Sequence, residues 1–306
     1  MIVLSYAAIY LIWGSTFLAI RIAIGTMPPI LMMADRCAIA GAVLLAVAAV
    51  RGERPRWRAW GDAMLAGALM FGGPYAALAW SEQRISSGMA ALLVATLPFW
   101  LALIEWGRGT RPSRRMLVGL AVGLAGVALL VAEGLTAPSA AAPIVVIILG
   151  ELAWAAGSVY AQPRLPKPLL LNAGMSLSAG GLLLLLLSWS VREFQRFDPH
   201  GVSGTSLMAL AYLTVFGSIV AFSAYAFLLT VAPASRVSTH AYINPLIAVA
   251  LGVGLAGEPF TASIAIAAVV IAGGVALVLG AKRGEPASAS RSIWRPMPEA
   301  ALKSER

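Results

Sequence analysis

Apolar residues run along this chain in long blocks broken by short polar punctuation. The blocks fall near residues 2–24, 29–50, 60–80, 86–106, 116–132, 142–162, 168–191, 206–230, 235–256 and 261–281. An α-helix needs roughly 17–25 apolar residues to cross a hydrocarbon core. The pattern therefore predicts ten membrane-spanning helices joined by short loops, with no room for a soluble domain.

The blocks are not independent of one another. ALLVATLPFWLALI followed by RPSRR lies over STHAYINPLIAVAL followed by EPFTAS, pairing Pro98 with Pro245 and Pro112 with Pro259 at one offset. AGVALLVA from Ala125 falls on GGVALVLG from Gly273, and LIWGSTFLAIR falls on LAWAAGSVYAQ with Trp13 on Trp154. Self-similarity of this kind marks a duplicated unit. Residues 1–135 form the first five-helix unit, 142–281 the second and 282–306 a polar tail. An odd number of crossings makes the second unit enter the membrane from the opposite side, so the fold class is all-α integral membrane built from two inverted repeats. Inverted repeats around a midplane site are the architecture of alternating-access carriers.

Composition agrees with the blocks. Hydrophobic residues make up 60% of the chain and charged residues 11%, too few polar groups to cover a soluble surface. The tail, rich in Ser, Pro and Arg, reads as disordered. Met1-Ile-Val-Leu supplies no basic region for a signal peptide, so the first block is expected to stay on the protein. The net charge of +9 is spread over loops rather than gathered into a nucleic-acid patch. With the N-terminus inside, Arg51, Arg54, Arg56, Arg58, Arg108, Arg111, Arg114, Arg115, Arg164, Lys167, Arg236 and the tail are cytoplasmic. Only Arg84, Arg192 and Arg196 lie in outer loops, so the positive-inside rule places both termini in the cytoplasm of a plasma (inner) membrane protein. The single Cys37 lies within the second block and supports no disulfide framework.

Candidate chemistry comes from what is unusual inside the blocks. Tyr6, Tyr10, Trp13, Phe17 and Arg21 recur at helical spacing, and their images in the sixth block are Glu151, Trp154, Ser158 and Gln162. A carboxylate as deep as Glu151 costs about 2.5–3.5 kcal/mol on insertion scales and should face a partner or a water-filled cavity. It is a candidate contact for a substrate ammonium or a proton carrier. In the ninth block Arg236, His240 and Asn244 stand on one face with Tyr242 beside them. Tyr75 and Tyr225 occupy similar places in the third and eighth blocks, and Trp80 follows Tyr75. The candidate binding residues are therefore Tyr10, Trp13, Tyr75, Trp80, Glu151, Trp154, Ser158, His240, Tyr242 and Asn244. Pro98, Pro245 and Gly72-Gly73-Pro74 are expected to interrupt helices along a cavity. Asp35 and Arg36 lie too deep to be loop charges. Arg36 is open to two roles, a substrate-carboxylate contact or a brace for Glu151 or Asp35, of which the brace is preferred.

Other motifs do not survive their context. Gly252-Val-Gly-Leu-Ala-Gly257 matches a dinucleotide fingerprint, but it ends an apolar block with no strand before it. Gly119-Leu-Ala-Val-Gly123 reads as a close-packing GxxxG at a helix interface or dimer contact. With no phosphate-binding loop, HExxH, Cys/His cluster or nucleophile elbow, an intramembrane enzyme is the weaker class. No cofactor or metal is expected. The partners expected are a small-molecule substrate and the bilayer, with the chain a monomer or homodimer.

Trp13-Gly-Ser-Thr-Phe, Pro29 followed by Arg36, Pro98, Asn244-Pro245, Gly257-Glu258-Pro259 and Gly273-Gly274 together resemble the EamA branch of the drug/metabolite transporter superfamily. The resemblance covers residues 5–281. It implies ten helices, cytoplasmic termini and secondary transport of small metabolites, often export. Members usually carry Glu-Pro where this chain has Asn244-Pro245, so no role of that carboxylate carries over. The aromatic lining and the size are similar to bacterial aromatic amino-acid exporters. The expected function is export of neutral and aromatic amino acids, with a sugar, nucleoside or organic-cation carrier as the alternative.

Overall fold

The computed structural model describes residues 1–109, 113–136, 138–161, 164, 168–231 and 240–280. Within these, the side chains of 130, 131, 133–136, 138–140, 226, 229, 230, 241, 242 and 279 are not described. Gln162, Arg236 and the expected tail lie outside the described residues, as does the Tyr242 side chain.

The helices are α1 (Ile2–Ala23), α2 (Pro29–Val50), α3 (Ala59–Gly67), α4 (Gly73–Ser81), α5 (Ser87–Val94), α6 (Leu97–Gly107) and α7 (Arg114–Thr136). They continue as α8 (Pro138–Ala161), α9 (Leu169–Ser190), the short α10 (Glu193–Arg196), α11 (Gly204–Tyr212), α12 (Ala221–Val231), α13 (His240–Ala256) and α14 (Ala262–Leu279). No strand occurs among the described residues. Seven helical runs are long and apolar enough to cross a membrane: Ile2–Ala23, Pro29–Val50, Ala59–Ser81, Ser87–Gly107, Ala141–Ala161, Leu169–Ser190 and Gly204–Tyr225. Ile243–Ala256 and Ala262–Val278 are shorter apolar helices, and α7 occupies the fifth expected block. The chain is a multi-pass helical membrane protein. Leu11, Val43, Leu186, Leu255 and Val269 are among the large apolar side chains on its outside, where a bilayer rather than water suits them.

Local chemistry explains most of the boundaries. Ser86, Ser203 and Thr261 cap α5, α11 and α14 by accepting hydrogen bonds from Met89, Ser206 and Ile264 N–H groups. Pro98 stands in the first turn of α6, and the helix is interrupted between Val94 and Leu97, as the sequence led one to expect. At Gly72-Gly73-Pro74 the expected break is instead a π-helical turn over Ala68–Gly72. Pro74 has no N–H to give the carbonyl four residues back, and the Gly73 N–H reaches five residues back to Ala68. A second π-helical run, Leu213–Val220, joins α11 to α12, with Ala221 N–H reaching back to Phe216. The break expected at Pro245 is absent, since α13 runs from His240 to Ala256 straight through it. Pro245 has no N–H to give the Ala241 carbonyl four residues back, and the helix accommodates the loss of that one bond without a break.

Close contact between helices rests on small residues, as it must where lipid removes the hydrophobic drive for helix association. α2 lies along α9, with Gly41 against Ser178, Gly181 against Ala38 and Gly174 against Leu45. α7 lies along α14 through Gly119, Gly123 and Gly274, so the expected GxxxG interface is internal to the chain. The pairings recur between the two halves. α1 meets α13 as α8 meets α5 and α6, and the run α3–α4 meets α8 and α9 as α11–α12 meets α1 and α2. One buried apolar cluster includes Leu92, Phe99, Ile271 and Val275, and another includes Ile20, Met32, Leu44, Leu177 and Leu184.

A Cβ on Gly274 would stand 2.6 Å from the Gly123 backbone nitrogen, whereas one on Gly273 would meet nothing within 4 Å. Gly274→Ala is expected to cost on the order of 1–3 kcal/mol through overpacking, and Gly273→Ala to leave stability unchanged or slightly raised. Thermal unfolding of both variants in detergent checks this, with only Gly274→Ala lowering the midpoint.

Candidate functional site

Trp13 is the hub of a ring cluster at the centre of the bundle. Its ring centroid lies 5.0 Å from His240, 5.4 Å from Tyr225 and 5.5 Å from Phe222. Its indole N–H donates to the Gly217 carbonyl at 3.0 Å. That carbonyl lies within the π-helical run, where the altered backbone register leaves carbonyls open to outside donors. Phe222 lies 5.9 Å from Phe71, and Phe71 lies 5.5 Å from both Tyr75 and Trp154. Tyr75 and Trp154 are 5.8 Å apart. An unbroken series of ring contacts thus joins α13, α1, α12, the first π turn, α4 and α8.

Two buried charged residues belong to this neighbourhood. Arg36, 4% exposed, holds its guanidinium 4.9 Å from the Tyr75 ring centroid, and its Nε donates to Ser218 Oγ at 2.9 Å. Glu151, also 4% exposed, sits one helical turn from Trp154, and its Oε2 has no hydrogen-bond partner. The expected brace is not what the structure contains. No ion pair joins Arg36 to Glu151 or Asp35 among the described residues; Ser218 and Tyr75 hold the guanidinium instead. Adjacent helical residues point about 100° apart, and Asp35 is only half-buried while Arg36 turns inward.

The other expected binding residues are placed differently. Oriented so that its nitrogen faces acceptors, the Asn244 amide donates to the carbonyls of Tyr10 at 3.2 Å and His240 at 3.1 Å. It stitches α13 to α1. Ser158 gives its hydroxyl to the Trp154 carbonyl one turn back. Tyr10 lies with its ring tilted against that of Tyr6, 5.8 Å away, at the edge of the cluster. Trp80 lies beneath the Arg84 guanidinium at 4.1 Å, about 7.5 Å along α4 from Tyr75 by the helical rise. A cavity of about 380 Å³ lined by Glu53, Arg54, Arg56, Ala59, Arg164, Pro168 and Leu171 shares no residue with the ring cluster.

Sequence reasoning passed over Phe71, Phe222 and Ser218. The first two were detectable, because Phe71 precedes Tyr75 by four residues and Phe222 precedes Tyr225 by three, the spacings that put side chains on one helix face. Ser218 carried no signal, since only the fold brings it to Arg36.

Residues 1–132 and again 141–280 match the EamA-like transporter family. The chain is 35% identical over 254 residues to the uncharacterized inner membrane transporter YedA of Escherichia coli strain K12, covering 82% of this chain and 81% of that one. It is 22% identical to the uncharacterized transporter YvbV of Bacillus subtilis, covering 92% and 93%, and 27% identical to protein PagO of Salmonella typhimurium, covering 80% and 82%. A solved crystal structure of 23% sequence identity covers 90% of this chain and 96% of its own at a TM-score of 0.63, a likeness of fold.

Ser218→Ala removes the Arg36 acceptor and strands a buried guanidinium donor, at a cost on the order of 1–3 kcal/mol. The midpoint of thermal unfolding in detergent should fall for Ser218→Ala and be largely kept for Ser218→Thr, which retains the hydroxyl.

Proposed function

The chain belongs to the EamA-like transporter family, and from that premise we propose that it is a secondary carrier exporting amino acids, neutral and aromatic ones among them, by alternating access. Ten helices form two inverted five-helix units, 1–135 and 142–281, with both termini and the tail 282–306 in the cytoplasm. Three observations support this arrangement: the family matches the chain twice, the helix pairings recur between the halves, and a π-helical run interrupts the third span and the eighth. The distribution of arginine over loops supports the orientation.

The observation that carries the substrate class is one ring cluster served by a buried guanidinium, Arg36, and a buried carboxyl group, Glu151. A free amino acid presents a carboxylate and an ammonium on one carbon beside a side chain. Arg36 is suited to the carboxylate, since its planar fork matches two oxygens. Glu151, with an oxygen left unpartnered, is suited to the ammonium. Trp13, Phe71, Tyr75, Trp154 and Phe222 offer ring faces to an apolar or aromatic side chain. His240 and Tyr225 close the cluster beside Trp13. Asn244 and Ser158 act by holding the helices that present these groups, and Trp80 and Tyr10 stand along the path toward the two membrane faces.

Counterflow of labelled amino acids, sugars and nucleosides in proteoliposomes tests the reading. Amino acids should exchange, and exchange confined to another class overturns it. Glu151→Gln and Trp154→Ala should each slow amino-acid counterflow roughly tenfold or more, the loss expected from one charge-assisted bond or one aromatic face, with folded protein retained. Wild-type rates in both variants would remove this site from consideration.

A further inference from the structure

A second polar cluster sits where α1 and α4 end, at the face that the proposed topology places outside. Arg21 of α1 donates to the backbone carbonyls of Glu82 at 2.6 Å and Ile85 at 2.9 Å, and it pairs with Glu258 at 3.3 Å. Glu258 in turn accepts from the Ser87 N–H at 2.9 Å, the Ser87 hydroxyl at 3.0 Å and the Gly88 N–H at 3.3 Å. These are the open donors at the start of α5. Gly257 at φ +62° and the bond from Glu258 N–H to the Gly252 carbonyl turn that carboxylate back toward α5. The cluster is a latch that ties α1 and the α4–α5 connection to the connection between α13 and α14.

Glu82 lies within the latch and is not used by it. Its side chain is fully buried, and neither carboxyl oxygen has a hydrogen-bond partner. Arg21 binds its backbone carbonyl and gives its charge to Glu258. The charged groups acting on Glu82 are Glu258 from the α13–α14 connection, Arg21 from α1 and Arg36 from α2. Burial, and then the Glu258 charge, hold the Glu82 carboxyl well above the usual carboxylate range against the opposing pull of the two arginines.

We propose that the Glu82 carboxyl is a proton-binding site whose proton keeps this latch closed. When the latch parts, water reaches the carboxyl and accepts its proton. The carboxylate left behind repels Glu258 and competes with it for Arg21, so the latch does not re-form until a proton returns. The affinity for the proton is raised in the closed form, so the closed form is favoured at low pH and lost as pH rises through that raised value. The site extends the carrier reading only in naming the face that the latch serves.

A cysteine at Ile85, which is 5% exposed in the closed latch, reports opening. The test is the rate of thiol labelling of purified Ile85→Cys, Cys37→Ser protein across pH, with and without E82Q. No substrate is involved, so failure here and failure of the amino-acid reading are distinguishable. Dividing the rate by that in the E82Q background cancels the titration of the cysteine itself. The ratio should be near one in acid and rise with pH, by at most about tenfold per pH unit for a single proton. A ratio that is flat across pH, or that falls with it, overturns the proposal. Should E82Q fail to accumulate, infrared spectroscopy of the Glu151→Gln protein decides. A carboxylic acid C=O stretch still present at neutral pH supports the proposal, and its absence there overturns it.

Discussion

The bilayer interior offers no water, so every buried polar group must find its partner within the chain or remain without one. Most of this structure obeys that constraint in small ways. Thr16, Thr96, Ser158 and Thr214 return their hydroxyls to carbonyls three or four residues back. The Trp13 indole takes a carbonyl in a π-helical run, and the Arg36 guanidinium takes a serine and a ring face. Against that economy, the Tyr6 hydroxyl and carboxyl oxygens on Glu53, Glu82 and Glu151 are left without a hydrogen-bond partner, and it is on two of these carboxyl groups, Glu151 and Glu82, that the proposals above rest.

The same constraint separates what holds the bundle from what can move within it. Where α2 meets α9 and α7 meets α14, glycine faces a neighbouring helix so closely that an added methyl group would strike its backbone. Such interfaces have one good arrangement. The ring cluster meets instead at centroid separations from 5.0 to 6.1 Å, contacts that tolerate reorientation at less cost. Glycine also brings α1 against α13 at Gly14 and Ile247 and α3 against α9 at Gly67 and Ser176, so the adjustable contacts are those of the rings. The proposed substrate site falls on those rings.

The sequence made the helices legible because they depend on composition and length alone, and it made the duplication legible because Pro98 and Pro245 survive in register. It was misleading at Pro245 itself, where the helix continues through the proline and gives up one backbone bond rather than breaking. At Pro74 the response was a change of hydrogen-bond register rather than a break. Trp13, Tyr75, Trp154 and His240 could be found because aromatic and ionisable residues inside a span are conspicuous. The partners of Arg36 could not, since Ser218 lies 182 residues away along the chain and serine is unremarked in a membrane helix. Glu82 was hidden for the opposite reason. A glutamate at the edge of a span reads as a loop charge, and only the packing of Arg21, Ile85 and Glu258 around it removes it from water.

Duplication explains the shape, and divergence explains the charges. Two identical halves would present the same groups to a ligand from both sides, which suits a symmetric ligand and no other. Here Glu151 stands where the first half has Tyr10, and Glu258 stands where it has Arg111. Glu258 is bound by four donors and an arginine side chain cannot take its place, because the N–H groups at the start of α5 require an acceptor. The substitution thus locks that face of the bundle. An amino acid, the substrate class proposed above, carries a different charge at each end of its backbone and would be read by such one-sided chemistry.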